Sequence, residues 1–229
     1  VGLVGLGVMG TSLSRNIAMN GFRMSLYNRR VEGKEEDIAY KTIRTYSELE
    51  NAKGFEDLKT FVESIERPRK IILMITAGKA VDYLIDDIKD LLNEGDILLD
   101  GGNTFYEDTE RRRRELAKHG IDWIGAGISG GEEGALKGPS IMPGGSEISV
   151  NRILPILQKI AAKDVNSDPC CTNVGRGASG HFVKMVHNGI EYAEMQLIAE
   201  IYDLLRFHNG MSPAAIADQF EQWNQGQLS

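Results

Sequence analysis

The sequence predicts an α/β fold, a doubly wound parallel sheet, followed by the beginning of an all-helical second domain. Three observations lead to this fold class. The chain opens with a short apolar run that leads straight into a glycine turn and a helical segment. Further along, apolar runs alternate with segments of helical period, as in βαβ units. From about residue 178 onward, helical period continues without strand-like runs. We therefore expect one domain at residues 1–177 and an incomplete helical domain at residues 178–229.

Each element follows from a local pattern. Residues 11–20 place Leu13 and Ile17 at helical spacing, and Gly21 is suited to end that helix. The apolar runs at 71–75 and 97–99 suit strands that are buried on both faces, because they do not alternate with polar residues. The other predicted elements, in chain order, are a strand at 22–27, a short strand near 42–45, an amphipathic helix at 80–92, a helix at 108–119, a strand beginning at 123–126, a helix from 178 to about 207, and a helix that begins at Ser212 and Pro213.

The composition excludes several classes of function. The chain has 26 Lys and Arg against 33 Asp and Glu, a formal net charge of −7. We expect no nucleic-acid partner, because phosphate backbones are bound by clustered positive charge. The four arginines at 111–114 are interpreted as a solvated surface, since acidic residues flank them. No apolar run approaches the roughly 20 residues that span a bilayer, so no membrane partner is expected either.

Cysteine and histidine usage predicts neither a disulfide framework nor a metal site. Cys170 and Cys171 are adjacent and cannot connect distant segments of the chain. Their small number fits a reducing cytoplasm. The four histidines show no recognisable metal-ligand spacing, so no metal site is predicted.

The glycine turn is the first candidate binding site. Gly5, Gly7, Val8, Met9 and Gly10 belong to a G-x-G-x-x-G sequence between a predicted strand and a predicted helix. In such a turn the second glycine lets the backbone approach a pyrophosphate, and the helix N-terminus attracts the anion. The pattern therefore predicts dinucleotide binding, with a plain strand–helix turn as the alternative.

The end of the second strand indicates which dinucleotide binds. Asn28, Arg29 and Arg30 stand there, where an NAD-preferring site usually has Asp or Glu to accept from the ribose 2′-hydroxyl. Arg29 can instead hold a 2′-phosphate bidentately. The sequence favours NADP, although two solvated turn arginines remain an alternative.

Two later loops follow predicted strands and carry polar groups. Asn103 ends a D-G-G-N run and can hydrogen-bond a sugar hydroxyl or a nicotinamide amide. Ser129, Gly130 and Gly131 follow the next strand and can present a hydroxyl and bare N–H groups to a carboxylate. A flexible loop is the alternative for this second segment.

The segment 181–192 contains the strongest group of candidate catalytic residues. At about 100° per residue, Lys184, Asn188 and Glu191 share one face of a helix. The opposite face, which includes Val186, Ile190 and Leu197, is expected to be packed. Gly189 weakens such a helix by roughly 1 kcal/mol against Ala, which makes sense where a ligand approaches the backbone. The alternative is a surface ion pair.

Together these motifs resemble the decarboxylating 6-phosphogluconate dehydrogenase family along essentially the whole chain. The β-hydroxyacid dehydrogenases share the glycine turn, the S-G-G type loop and the Lys, but not H-N-G-I-E-Y. The segments that carry the resemblance are G-L-G-V-M-G, the N-R after the second strand, D-G-G-N, G-I-S-G-G-E-E-G-A, G-P-S-I-M-P-G-G and H-F-V-K-M-V-H-N-G-I-E-Y.

The resemblance implies an NADP-dependent oxidoreductase that converts 6-phosphogluconate to ribulose 5-phosphate and CO2 in the pentose phosphate pathway. It implies that Lys184 is the general base and that Glu191 protonates C1. The implied substrate-binding residues are Asn103, Ser129, Gly130, Gly131, His187, Asn188 and Tyr192. The implied coenzyme-binding residues are Gly5, Gly7, Val8, Met9, Gly10, Asn28, Arg29, Arg30, Thr76, Ala77 and Asn103.

The resemblance further implies a Rossmann-like domain, a large helical domain and a homodimer. Arg30 departs from the family, which often has Thr there, and Thr76 stands where Lys or Gln is expected. Most of the family's helical domain lies beyond residue 229, so we expect this chain to be truncated and inactive alone. Two other functions stay open, a β-hydroxyacid dehydrogenase for a small unphosphorylated acid and a non-catalytic NADP-binding sensor.

Overall fold

The computed structural model describes residues 1–226. The chain divides into two compact units, Val1–Met185 and a second unit that begins at Val186. No helix among residues 1–226 has the length and apolarity needed to cross a membrane.

The first unit is built on one seven-stranded sheet. Its strands are β1 (Gly2–Val4), β2 (Ser25–Tyr27), β3 (Lys53–Phe55), β4 (Lys70–Leu73), β5 (Ile97–Asp100), β6 (Asp122–Ser129) and β7 (Ser140–Gly144). The strand order is β3-β2-β1-β4-β5-β6-β7, and every pair is parallel except β6 with β7. The predicted doubly wound parallel sheet is therefore confirmed, with one antiparallel strand added at its edge.

Helices connect the strands and continue past the sheet. They are α1 (Val8–Met19), α2 (Ile38–Thr45), α3 (Leu58–Glu63), α4 (Lys79–Ile88), α5 (Tyr106–Ala117), α6 (Gly131–Lys137), α7 (Glu147–Ile160), α8 (Ser179–Asp203) and α9 (Pro213–Asn224).

Both faces of the sheet are buried under helices. In β4, Ile72 belongs to the hydrophobic cluster that includes α1 and α7 residues, whereas Ile71 and Leu73 belong to the cluster that includes α3, α4 and α5 residues. In β1, Leu3 and Val4 alternate between the same two clusters. Because side chains of a strand point to opposite faces in turn, burial of both faces requires an unbroken apolar run.

The secondary structure of residues 42–55 differs from the prediction. Residues 42–45, expected as a short strand, lie in α2, and the strand of this region is β3 (Lys53–Phe55). Thr42, Ile43 and Thr45 are β-branched and favour strands locally. In the structure, Ala39 and Thr42 are the buried residues of α2, so helical spacing of the buried side chains prevails over propensity.

The helices after residue 178 follow the predicted pattern. The Ser212 hydroxyl caps α9 by accepting from the Ala215 backbone N–H at 3.2 Å, as the Ser-Pro start indicates. Val186, Ile190 and Leu197, which are expected on a packed face, are 45%, 56% and 62% exposed among the described residues.

Candidate active site

The glycine turn between β1 and α1 has a separate physical reason at each glycine. Gly5 has φ +93°, and a β-carbon there would lie 2.5 Å from the Met74 carbonyl oxygen. A β-carbon on Gly10 would overlap the Gly5 carbonyl oxygen. A β-carbon on Gly7 would have no heavy atom within 4 Å. Packing thus requires the first and third glycines, whereas the second glycine borders open space.

The open space next to Gly7 is a cleft of about 460 Å³ at the carboxyl ends of β1, β2 and β4. Gly7, Arg29, Thr76 and Asp87 are among the residues that line it. Helix α1 starts at this cleft without a side-chain cap on Gly7 and without an acidic residue in its first turn. Its free N–H groups and positive dipole end suit a pyrophosphate. The residues present therefore fit a dinucleotide.

The two middle positions of the turn differ in exposure. The Val8 side chain is 62% exposed at the start of α1. Met9 is half-buried and packs against the hydrophobic cluster beneath α1. Val8 is therefore the more exposed of these two side chains.

Asn28 holds the end of β2 against the glycine turn. Its Oδ1 accepts from the Leu6 backbone N–H at 3.0 Å, and its Nδ2 donates to Glu35 Oε2 at 3.1 Å. Arg29 Nε lies 3.7 Å from Glu35 Oε2, and Arg30 Nη2 lies 3.6 Å from Glu36 Oε1. Sequence reasoning missed both carboxylates, because they follow β2 in an acidic run with no recognisable spacing.

The loops after β4 and β5 present the next predicted residues. Thr76 is exposed and lines the cleft, and Ala77 is half-buried. Asn103 is exposed in the middle of the loop between β5 and α5, which Asp100 holds in place. The fully buried Asp100 accepts from the Gly102 N–H at 3.0 Å and from the Thr104 hydroxyl at 2.7 Å. Asp100 therefore holds the Gly102 backbone before Asn103 and the Thr104 side chain after it.

Arg112 of α5 connects these two loops, and its interpretation as a solvated residue is wrong. It is 1% exposed, unlike Arg111 and Arg114. Its guanidinium donates to Asp82 at 2.8 and 3.1 Å and to the Gly78 carbonyl at 2.9 Å, and it lies 3.9 Å from Asp100 Oδ2. These hydrogen bonds hold the pKa of Asp82 below its usual value.

The position of Arg112 on its helix could have revealed this role. Thr109, Arg112 and Leu116, the buried residues of α5, follow one another at helical spacing. The four consecutive arginines hid this spacing in the sequence. Arg112 is therefore a residue that the sequence could have assigned to the inner face of α5.

The loop after β6 is shaped by two glycines with positive φ. Gly130 has φ +128° and Gly131 has φ +61°, conformations that favour glycine. A β-carbon on Gly130 would lie 2.9 Å from Gly134 Cα, so the turn into α6 has no room for one. Ser129 is half-buried at the end of β6, and both glycines are exposed beyond it. Because glycine has no side chain, the backbone N–H groups of Gly130 and Gly131 are not covered by their own residues.

Lys184 is placed by close packing of α8 on β6. It is 8% exposed. A β-carbon on Gly127 would overlap Lys184 Cβ and lie 3.0 Å from Cγ, so the lysine stem covers this glycine of β6. Gly127 lies two residues before Ser129. The fold thus brings a buried amine next to the strand that ends in the S-G-G loop.

His181, three residues before Lys184, fixes the start of α8. It is 2% exposed, and its Nδ1 lies 2.6 Å from the Thr109 hydroxyl of α5. Burial lowers the pKa of His181, so the neutral ring is favoured at neutral pH. Sequence reasoning did not single out this histidine, because a buried polar contact between distant helices leaves no spacing signal.

The remaining predicted residues lie in the part of α8 that belongs to the second unit. His187 Nδ1 lies 3.2 Å from Asn188 Oδ1 and 3.6 Å from Glu191 Oε2. Tyr192 is 70% exposed. A β-carbon on Gly189 would have no heavy atom within 4 Å. Within this unit, the imidazole, amide and carboxyl groups therefore form one polar cluster beside an unobstructed backbone position.

Cleft size does not identify the site. A cleft of about 930 Å³ is lined by residues of α5, by the start of α8 and by Arg176 and Gly177. None of the predicted site residues lines it.

The sheet order, the glycine turn and the cleft beside it define a dinucleotide-binding protein of the Rossmann class. Models of two domains match the chain, the NAD binding domain of 6-phosphogluconate dehydrogenase over residues 1–175 and the C-terminal domain of 6-phosphogluconate dehydrogenase over residues 180–229. The chain belongs to the 6-phosphogluconate dehydrogenase family.

Similar proteins agree with this membership. Decarboxylating 6-phosphogluconate dehydrogenase of Shigella flexneri is 49% identical over the whole chain, which covers 48% of that protein. A Bacillus subtilis relative, described as NAD(+)-dependent and decarboxylating, is 50% identical over the whole chain, which covers 47% of it. The chain thus spans about half the length of the curated relatives it matches.

Solved structures show the same fold. 6-phosphogluconate dehydrogenase of Plasmodium falciparum, known in apo form and with NADP+ and 6-phosphogluconate, matches with a TM-score of 0.90 and 39% identity, over 99% of this chain and 47% of that one. 3-Hydroxyisobutyrate dehydrogenase of Mycobacterium tuberculosis matches with a TM-score of 0.75 and 21% identity, over 95% of this chain and 68% of that one. The second likeness concerns the fold alone.

Proposed function

We propose that the protein containing this chain oxidises and decarboxylates 6-phosphogluconate to ribulose 5-phosphate and CO2, with NADP as the coenzyme. We further propose that it acts in the cytoplasm as a homodimer. The observation that carries the proposal is the buried Lys184, whose stem covers Gly127 in the strand that ends at the S-G-G loop. Family membership over the whole chain supports the same activity.

The coenzyme is assigned to the cleft beside Gly7. The free N–H groups at the start of α1 bind the pyrophosphate, and Arg29 faces the 2′-phosphate. Asn28, Arg30, Thr76, Ala77 and Asn103 complete the proposed set from the adjoining loops. NADP supplies the hydride acceptor when it is bound.

The substrate is assigned to the loops after β5 and β6 and to α8. Ser129 with the N–H groups of Gly130 and Gly131 binds the carboxylate, since such a loop offers several donors to one anion. Asn103, His187 and Asn188 hydrogen-bond the hydroxyl groups, and Tyr192 contacts the phosphate. These roles assign the two ends of the substrate to different segments of the chain.

Two residues move the protons. Lys184 removes the proton from the 3-hydroxyl, which allows hydride to leave C3. The resulting β-keto acid loses CO2 because its carbonyl accepts the electron pair of the broken bond. Protonated Lys184 hydrogen-bonds that carbonyl, and Glu191 then protonates C1 of the enediol.

Substrate choice tests this function against its alternatives. The full-length protein is mixed with NADP and either 6-phosphogluconate or 3-hydroxyisobutyrate, and coenzyme reduction and CO2 release are measured. We expect one CO2 per reduced coenzyme with 6-phosphogluconate and neither product with the other acid. Reduction with 3-hydroxyisobutyrate alone would show a β-hydroxyacid dehydrogenase. Coenzyme binding without turnover of either acid would show a sensor.

A further inference from the structure

The end of β2 carries acidic groups as well as the two arginines. Glu35 Oε2 lies 3.7 Å from Arg29 Nε, and Glu36 Oε1 lies 3.6 Å from Arg30 Nη2. Glu35 and Asp87 both line the cleft that contains Gly7. Of these charged residues, one arginine, Arg29, and two carboxylates, Glu35 and Asp87, line the cleft.

The position of Glu35 is fixed by hydrogen bonds on two sides. The backbone closes a tight turn, with the Val31 N–H donating to the Glu35 carbonyl and the Glu35 N–H donating to the Val31 carbonyl, both at 2.8 Å. On the side-chain side, Asn28 Nδ2 donates to Glu35 Oε2 at 3.1 Å, while Asn28 Oδ1 accepts from the Leu6 N–H at 3.0 Å. Glu35 is thus connected through one side chain to the glycine turn itself.

This arrangement combines two devices that dinucleotide sites use separately. In Rossmann-class sites a carboxylate near the end of the second strand accepts from the ribose 2′-hydroxyl of NAD, whereas an arginine there accommodates the 2′-phosphate of NADP. The carboxylate that β2 itself lacks is supplied from the following turn by Glu35. A carboxylate repels the dianionic phosphate but not a hydroxyl.

We propose that Glu35 is a specificity-determining residue that lowers the preference for NADP and lets the site accept NAD as well. It does so by pairing with Arg29 and by placing negative charge beside the 2′ position. The inference rests on the proposed function, since it concerns the coenzyme site of that reaction. A curated relative described as NAD(+)-dependent, 50% identical over this chain, shows that the family contains such a coenzyme choice.

Glu35→Gln in the full-length protein tests the proposal. Glutamine removes the charge but keeps an amide oxygen that can accept from Asn28, so the turn should stay in place. The dissociation constants of NADP and NAD are measured by calorimetry at fixed ionic strength, without substrate. We expect the affinity for NADP relative to NAD to rise about fivefold, the upper end for one exposed charge pair.

Glu32→Gln is the matched control. It removes the same charge from the same turn, but Glu32 is exposed and does not line the cleft. The control should leave the affinity ratio unchanged. An unchanged ratio in Glu35→Gln, or an equal rise in Glu32→Gln, would overturn the proposal. Failure of the unaltered protein to bind either coenzyme would instead overturn the proposed function, and this inference with it.

Discussion

The glycine turn and the part of α8 that begins at Val186 both contain glycines, but for different physical reasons. A β-carbon on Gly10 would overlap the Gly5 carbonyl oxygen, so the fold alone requires glycine there. Gly189 of α8 has no heavy atom within 4 Å of the place where a β-carbon would stand, and neither does Gly7. Packing therefore accounts for Gly10 but for neither of the other two.

This difference separates glycines that the fold requires from glycines that we expect to border a ligand. A glycine in the middle of a helix destabilises it by roughly 1 kcal/mol relative to alanine, and a surface helix gains nothing from it. Where neither packing among the described residues nor a positive φ gives a reason for glycine, we expect that a ligand approaches the backbone.

The largest effect is expected at Lys184, which both packs on Gly127 and is proposed to act on the substrate. In the full-length enzyme, Lys184→Met keeps an unbranched apolar stem over Gly127 and removes only the amine. We expect kcat to fall about 10²- to 10⁴-fold, the usual contribution of a general base, while the dissociation constant of NADP stays unchanged. Steady-state kinetics and calorimetry measure the two quantities.

Lys137→Met is the control for Lys184→Met. Lys137 is 70% exposed and pairs with Glu133 on α6. The Lys137→Met variant should retain the activity of the unaltered enzyme. Substantial residual turnover in Lys184→Met would show that the lysine is a packing residue only.

A smaller effect is expected at Arg112, where the reason is structural. Arg112→Met removes the guanidinium 3.9 Å from the fully buried Asp100 and two hydrogen bonds to Asp82, which keeps only its bond from Arg111 at 3.0 Å. The free energy of unfolding should fall by about 3 kcal/mol, the scale for breaking a buried pair. Arg113→Met, which removes a half-exposed partner of Glu110, should change it by less than about 0.5 kcal/mol. Urea unfolding compares the two variants, and equal losses would contradict the role of Arg112 in joining the loops.

The smallest effect is expected at Gly189. Gly189→Ala should raise the free energy of unfolding by about 1 kcal/mol, because it improves an exposed helix without a clash. The same change should raise KM for 6-phosphogluconate if the substrate approaches this backbone. A stabilised variant with unchanged KM would show that the glycine has no ligand to accommodate.

The sequence predicted those features that depend on local pattern. The sheet, the glycine turn and the Ser212 cap all follow from periodicity or from residue types at fixed spacing. Features that depend on distant contacts were missed. Arg112 is buried because Gly78, Asp82 of α4 and Asp100 of β5 surround it, and all three are distant from α5 in the sequence.

Two further differences have the same origin. β7 contains Pro143 and Gly144, and no strand is predicted there from the sequence. At the edge of a sheet a proline is tolerated, and only pairing with β6 makes the segment a strand. Glu35 reaches the cleft through a turn whose path the sequence pattern does not specify.

We expect packing to require glycine at position 10 and the coenzyme to require it at position 7. Urea unfolding and NADP calorimetry of Gly7→Ala and Gly10→Ala in the full-length protein test this difference. Gly7 has φ −70°, which alanine adopts without strain. The free energy of unfolding of Gly7→Ala should therefore differ from that of the unaltered protein by less than about 0.5 kcal/mol. Its methyl group would nevertheless occupy the approach to the pyrophosphate, and we expect NADP binding to weaken at least about tenfold, or about 1.4 kcal/mol. Gly10→Ala should instead lose about 1–3 kcal/mol of stability. Unchanged NADP affinity in a stable Gly7→Ala protein would contradict the assignment of the coenzyme to this turn.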